Sequence, residues 1–377
     1  HSTSRRQRQM CIRDRFNCKD IFLKITFILP GIPTRPTGGS KIVFEYANRL
    51  LSLDSEMVIN ICFCSNPSVG RMGKLALPSF VKEDINSFRC WYFPRWFNLD
   101  KRINKIYIST INDDTVPDAD WVFATASSTA FGVNSLSPEK GKKGYLIQDY
   151  ETWELPPDKL DETFCLGMKN IAVSQWLKEL VEKISSESCE YIPNPIDTTV
   201  FHPDYSYRRL PKTVALLYHE GAHKGFSYAW NALLLVKKKI PDLHVKMFGT
   251  FKLKHSFPEW VTYKRNASSK DLFKIYNESE AYLCASVNEG YALTCVEAMA
   301  CGCSLVVTDF KGSREYAVDS VNAIVVPVGD VQAIADGVIR ILEDSVLREH
   351  ISNTGISFAK KSDWNFAIKH FANILKN

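Results

Sequence analysis

From residue 23 onward the chain alternates short, almost unbroken apolar runs with longer stretches whose apolar side chains recur every three or four positions. The run Leu23–Leu29 (LKITFIL) suits a strand buried on both faces, and the periodic stretch Lys41–Leu53 predicts a helix. Between them lies PGIPTRPTGGS, a proline- and glycine-rich loop. The unit therefore reads strand, glycine loop, helix. Further strands are predicted at Met57–Cys64, Trp121–Thr125, Gly144–Ile147 and Asn170–Val173. Ser174 is placed to cap a helix with Trp176, Leu177, Leu180, Val181 and Ile184 on one face. Residues 65–120 show no clear period and read as irregular.

Ile192–Asp197 (IPNPID) carries two prolines, which disfavour helix and stiffen the chain, so a domain boundary is expected there. A second series follows, with strands at Thr213–Leu217, Val245–Phe248, Ala281–Ala285, Ser304–Thr308 and Ala323–Val326. Helices are predicted at Gly225–Lys239 and Ser269–Asn277, and Asp330 is placed to cap Val331–Leu342. A last helix is expected over Asp363–Leu375. Both halves alternate strand and helix, which predicts an α/β protein of two doubly wound parallel-sheet (Rossmann-like) domains. Residues 16–193 form the first domain and 198–362 the second, with a closing helix over 363–377 expected to pack back on the first. Ligands of such sheets bind beyond the carboxyl ends of the strands, so the natural site is a cleft between the two.

The composition changes this picture little: 45% hydrophobic and 24% charged residues are ordinary for a globular chain of 377 residues. No apolar run reaches the ~20 residues that span a bilayer. The eleven cysteines include the C-x-C pairs Cys62/Cys64 and Cys301/Cys303 but no C-x-x-C pair, so reduced, mostly buried thiols are expected rather than disulfides or zinc ligands. Asn266 and Asn277 begin glycosylation sequons of low specificity. The net charge of +5 is concentrated at one end, because RRQRQMCIRDR, Arg5 to Arg15, holds five arginines and one aspartate. That string resembles a translated sequencing adapter. Residues 1–15 are accordingly set aside as non-native, and a nucleic-acid partner is not expected.

The chemistry concentrates in NEGYALTCVEAMACG, residues 288–302. Glu289 follows the carboxyl end of a predicted strand, and Glu297 lies on a short apolar helix, Leu293–Ala300, that Gly302 stops. A helix this apolar is buried, and a carboxylate on it needs a partner. The amides from Gly290 to Thr294 lie at the helix start, where unpaired N–H groups and the helix dipole suit a diphosphate. Taken alone, the two glutamates also fit plain helix-start acids. Lys224 alone fits a solvated lysine.

In context, NEGYALTCVEAMACGCSLVVTD resembles the E-x7-E signature of glycosyltransferase family 4, retaining enzymes of the GT-B fold. IAVSQWLKEL and YIPNPIDTTVF resemble the segment leading into that family's interdomain linker, HKGFSYAWNAL its diphosphate-binding lysine segment, and SSKDLFKIYNESEAYLCAS and TDFKGSREY its flanks. The resemblance runs from about residue 23 over most of the chain. It implies that Glu289 binds the donor sugar near the reaction centre and that Glu297 holds the nucleotide ribose. It implies that Gly290, Tyr291, Ala292, Leu293 and Thr294 present amides to sugar and diphosphate. Lys224 would neutralise the leaving diphosphate, and Gly38 and Gly39 would form the first-domain glycine loop.

Two departures stand out. Many family members carry Gly-Arg ahead of the lysine, whereas this chain reads LLYHEGAHKG, with His219 as a substitute or a packing residue. The family's first-domain histidine is absent, and YLIQDYETW stands in its place. Asp149 there is the candidate for orienting acceptor or sugar, with a helix cap or salt bridge as the alternative. This pattern is similar to a rhamnosyltransferase-like subgroup that builds bacterial surface polysaccharides.

The resemblance thus implies a cytoplasmic retaining transferase that moves a sugar from a nucleotide-diphosphate donor to a glycan or lipid-linked oligosaccharide. No cofactor or metal is expected, since Asp118-Ala119-Asp120 precedes a first-domain strand. Cys90–Lys105 (CWYFPRWFNLDKRINK) fits either a patch for anionic lipid on the inner face of the plasma membrane or a loop packed on the core. A nucleotide-sugar epimerase or phosphorylase on the same fold is the alternative. A glycan-binding module has no need of a diphosphate site, and a nicotinamide oxidoreductase lacks its G-x-G-x-x-G spacing.

Overall fold

The computed structural model describes residues 22–65 and 79–376; the adapter-like stretch 1–15 lies outside them. Among the described residues the first domain is a parallel sheet of β1 (Lys24–Leu29), β2 (Val58–Cys64), β3 (Asn104–Ile108), β4 (Trp121–Ala124), β5 (Lys142–Ile147), β6 (Lys169–Ala172) and β7 (Glu190–Tyr191). Their order is β3-β2-β1-β4-β5-β6-β7. The second sheet holds β8 (Leu210–Tyr218), β9 (His244–Gly249), β10 (Val261–Arg265), β11 (Ser279–Cys284), β12 (Ser304–Thr308) and β13 (Ala323–Val326), in the order β10-β9-β8-β11-β12-β13. In both, the central strands are almost wholly buried, as sheets covered on two faces require. Strand order reverses between β1 and β4 in one sheet and between β8 and β11 in the other. These two switch points face each other across the cleft.

The covering helices are α1 (Gly38–Leu53), α2 (Ser79–Tyr92), α3 (Ser127–Asn134), α4 (Pro157–Phe164) and α5 (Gln175–Ser185) in the first domain. In the second they are α6 (Phe226–Lys239), α7 (Ser269–Glu278), α8 (Leu293–Ala300), α9 (Val331–Glu343) and α10 (Ser345–Lys361). The chain then returns in α11 (Trp364–Lys376), whose Phe371 ring lies 4.6 Å from Tyr46 and 5.2 Å from Phe123. The Trp121 indole donates to the Leu375 carbonyl at 3.0 Å. By its packing, α11 completes the core of the first domain. The two crossings of the chain are tied where the Ile196 amide donates to the Ser362 carbonyl (2.9 Å) and Arg49 pairs with Asp197 (2.7 Å).

Several expectations are corrected. The region read as irregular contains α2 and β3; residues 66–78 within it are outside the described residues. Ser174 occupies the cap position of α5, but its buried hydroxyl makes no hydrogen bond. Asp330 does cap α9, accepting from the Ala333 amide at 2.9 Å. Asn277 is buried and donates to the His202 and Phe273 carbonyls, so it is unavailable for glycosylation. The cysteines of the described residues form no disulfide, and all but Cys165 are buried.

Candidate active site

Each sheet offers its two switch-point loops. In the second sheet, the loop after β8 carries His219 and Lys224, and the loop after β11 carries Glu289 through Thr294. Gly225 follows Lys224 in a left-handed conformation (φ +61°), and a Cβ there would fall 1.8 Å from the Ala285 carbonyl oxygen. Only glycine lets the lysine turn press against the end of β11. As a result the Lys224 ammonium reaches the Glu289 carboxylate at 2.5 Å. The other Glu289 oxygen accepts from the Ser286 hydroxyl. Ala292, the residue before α8, is held at φ +66°, a conformation that costs a non-glycine residue roughly 1 kcal/mol or more. That bend sets the residues at the start of α8 along the wall of the cleft. Tyr291 turns its ring away, burying it against Tyr316.

In the first sheet, the loop after β1 ends in Gly38 and Gly39 at the start of α1, and the loop after β5 carries Gln148 to Trp153. The two domains touch closely here. A Cβ on Gly38 would sit 3.6 Å from the Leu293 side chain, so the amino ends of α1 and α8 face one another. The Trp176 indole donates to the Gly290 carbonyl at 3.1 Å, and the Trp153 ring stacks on His223 with centroids 4.9 Å apart. All twelve residues singled out by the sequence line one cleft of about 680 Å³.

Electrostatics separates their states. Burial pushes the Asp149 carboxyl up to about 6, helped by the Glu289 charge and opposed by the Tyr150 and Gly290 amides. Asp149 has no ion pair recorded among the described residues and caps no helix. Its neighbour Glu151 instead accepts from the first amide of α3, that of Ser127, at 2.6 Å and is itself pushed up to about 7 by burial. Burial opposes charge on Lys224, but Glu289 and Asp149 outweigh it and the net effect is a raised pKa. His219 goes the other way, down to about 4, through burial and the neighbouring Lys224 charge. The Gly221 amide donates to its Nδ1 at 3.0 Å. With Nδ1 accepting, only Nε2 is left to face the cleft as a donor.

Lys41 was not apparent from motif or period. It reaches from the first turn of α1 to Glu297, 2.5 Å away, and the carboxylate is almost fully buried. A signal did exist, because a cation in the first turn of a helix opposes the dipole and calls for another explanation. Asp118 and Asp120 lie at the amino ends of the strands, away from the cleft. Asp118 pairs with Lys140 at 2.7 Å, and Asp120 accepts from the Lys24 amide. Among the described residues no cluster of His, Cys, Asp or Glu has the makings of a metal site.

With this geometry in hand, residues 210–358 match the family described as glycosyl transferases group 1, which spans most of the second domain. A phosphatidyl-myo-inositol mannosyltransferase of Mycobacterium leprae is 27% identical over 207 residues, covering 52% of this chain and 55% of the relative. The match thus spans about half the length of that curated relative. Among solved structures, Anabaena HepE in complex with UDP-glucose superposes with a TM-score of 0.71 at 14% identity, covering 94% of this chain and 99% of that one. Sucrose-phosphate synthase from Thermosynechococcus elongatus gives 0.70 at 13% identity, covering 94% and 98%. At such identities the likeness is one of fold, the two-domain GT-B arrangement.

Proposed function

We propose that the protein is a retaining glycosyltransferase that moves a sugar from a nucleotide-diphosphate donor to a glycan or lipid-linked glycan in bacterial surface-polysaccharide synthesis. The observation that carries this reading is the convergence of Glu289, Glu297 and Lys224 around the start of α8, at the switch point of the second sheet. Backbone amides and Lys224 take the diphosphate, Glu297 the ribose, and Glu289 the hydroxyls of the transferred sugar. The HepE structure, bound to UDP-glucose, supports a nucleotide-sugar donor.

In the reaction, the bond between the anomeric carbon and the diphosphate oxygen breaks, and its electron pair leaves on the phosphate. The acceptor oxygen bonds to the anomeric carbon on the same face, and its proton passes to the departing phosphate oxygen. Lys224 stabilises the charge that develops there. Asp149 orients the acceptor from the opposite wall. No metal step is required in this scheme, so excess EDTA should leave turnover intact.

The acceptor is proposed to approach from a membrane surface on the cytoplasmic side. Among the described residues no helix is long and apolar enough to cross a bilayer. Within Cys90–Lys105, Phe97 packs 5.4 Å from Phe44 in the core, while Trp91 on α2 stands 71% exposed. Its ring lies 5.8 Å from that of the 61% exposed Phe88 just ahead of the segment, and Arg89 and Arg95 are exposed nearby in sequence. Exposed aromatics with flanking cations suit an anionic interface.

A thermal-shift panel of nucleoside diphosphates and nucleotide sugars tests the reading, because selective binding raises the melting temperature of the matching complex. Incubation with the selected nucleotide sugar and no acceptor then separates transferase from epimerase. An epimerised nucleotide sugar as the product would replace this reading. Retention is checked from the anomeric configuration of the new bond.

A further inference from the structure

A bound nucleoside diphosphate brings at least two negative charges into a cleft that is largely out of water, and buried charge needs matching charge. In the cleft the second domain supplies the Lys224 ammonium, the His219 Nδ1 is occupied by the Gly221 amide, and Arg35 of the first domain stands exposed at the rim. Lys41 is placed differently. It projects from the first turn of α1, and Glu297 sits one turn into α8. Side chains lean toward the amino end of their helix, so ammonium and carboxylate meet at 2.5 Å above the two facing helix starts. Those same starts present the unpaired amides of the site.

The geometry points to Lys41 as the second diphosphate ligand, contributed by the acceptor-side domain and held on Glu297 until a nucleotide arrives. This rests on the nucleotide-sugar reading of the cleft. The exchange conserves charge and moves no proton. The resting cleft holds two ammonium–carboxylate pairs, Lys224–Glu289 and Lys41–Glu297. On binding, sugar and ribose hydroxyls donate to the two carboxylates, and both ammonium groups turn to phosphate oxygens. Lys41 thus links the two domains in either state, through Glu297 at rest and through the diphosphate when it is bound.

Calorimetric titration tests this with UDP, GDP, ADP and dTDP, followed by the monophosphate and the nucleoside of whichever base binds. Lys41→Gln is expected to weaken diphosphate binding about tenfold or more, the worth of one charge-assisted contact. Its binding of the free nucleoside should be unchanged or tighter, because Glu297 is then open to ribose. Lys41→Arg should stay within about threefold of the wild type, since it keeps the charge. The melting temperature of each variant shows whether its fold is intact. Equal or tighter diphosphate binding by Lys41→Gln would overturn the assignment and leave Lys41 as a placeholder on Glu297. If the wild type binds none of the four, the nucleotide-sugar reading itself falls, and the role of Lys41 with it.

Discussion

A Cβ added to Gly290 would fall 2.0 Å from the carbonyl oxygen of Gln148, a backbone atom of the opposite domain. The loop that carries Glu289 is thus pressed against the first domain through a residue that has no side chain. Gly290→Ala should push the domains apart or distort the loop. Overpacking of this kind costs roughly 1–3 kcal/mol, and the change should lower both melting temperature and turnover. Calorimetry and steady-state kinetics check it. Unchanged turnover would show that the contact is not kept during catalysis.

The two glutamates should fail in different ways. Glu289 lies where the transferred sugar gains positive charge, so Glu289→Gln should lower kcat by roughly 10²–10³. Nucleotide affinity should not fall, because Lys224 loses its competing carboxylate. Glu297 is assigned to ribose, which the reaction leaves unchanged, so Glu297→Ala should mainly raise the donor KM. Kinetics and free-nucleotide binding on both variants decide it. Near-normal kcat in Glu289→Gln would return both residues to the status of helix-end acids.

Asp149 links activity to stability through its pKa. Its carboxyl is raised from 3.8 to about 6, so the fold favours the protonated form over the ionised one. Ionising it therefore costs stability, fully above about pH 6 and not at all below about pH 3.8. Asp149→Asn removes that cost, roughly 1–3 kcal/mol for a shift of this size. The variant should melt a few degrees higher than the wild type at pH 7.5, with the gap closing toward pH 4. It should also lose turnover, since Asn cannot accept from the acceptor hydroxyl as a carboxylate does. A lower melting temperature at pH 7.5 would mean that the ionised carboxylate is stabilising after all.

The exposed face of α2 makes a prediction of its own. Trp91→Ser with Phe88→Ser should reduce co-sedimentation with vesicles containing anionic lipid severalfold, as apolar insertion is lost. Turnover on a water-soluble acceptor should be unaffected, since neither residue lines the cleft. Equal sedimentation of variant and parent would remove α2 from membrane contact.

Apolar runs and helical periods determined both sheets, because a strand buried on two faces must be apolar almost throughout; β1, β12 and α8 lie where that rule puts them. It misses β10, an edge strand with polar Thr262, Lys264 and Arg265, and α2, on which Ile85, Phe88 and Trp91 face outward. β10 meets the core through Val261 and Tyr263 and α2 through Cys90, too few positions to set a pattern. The E-x7-E stretch and Lys224 stood out through their resemblance to the family 4 signature, since taken alone they fit helix-start acids and a solvated lysine equally. Only the tertiary structure paired Lys41 with Glu297, 256 residues apart, set the Trp176 indole on Gly290, and brought the Glu151 carboxylate to the first amide of α3. Those contacts depend on how the two sheets face each other. That orientation is set by packing between domains and leaves no periodic trace along the chain.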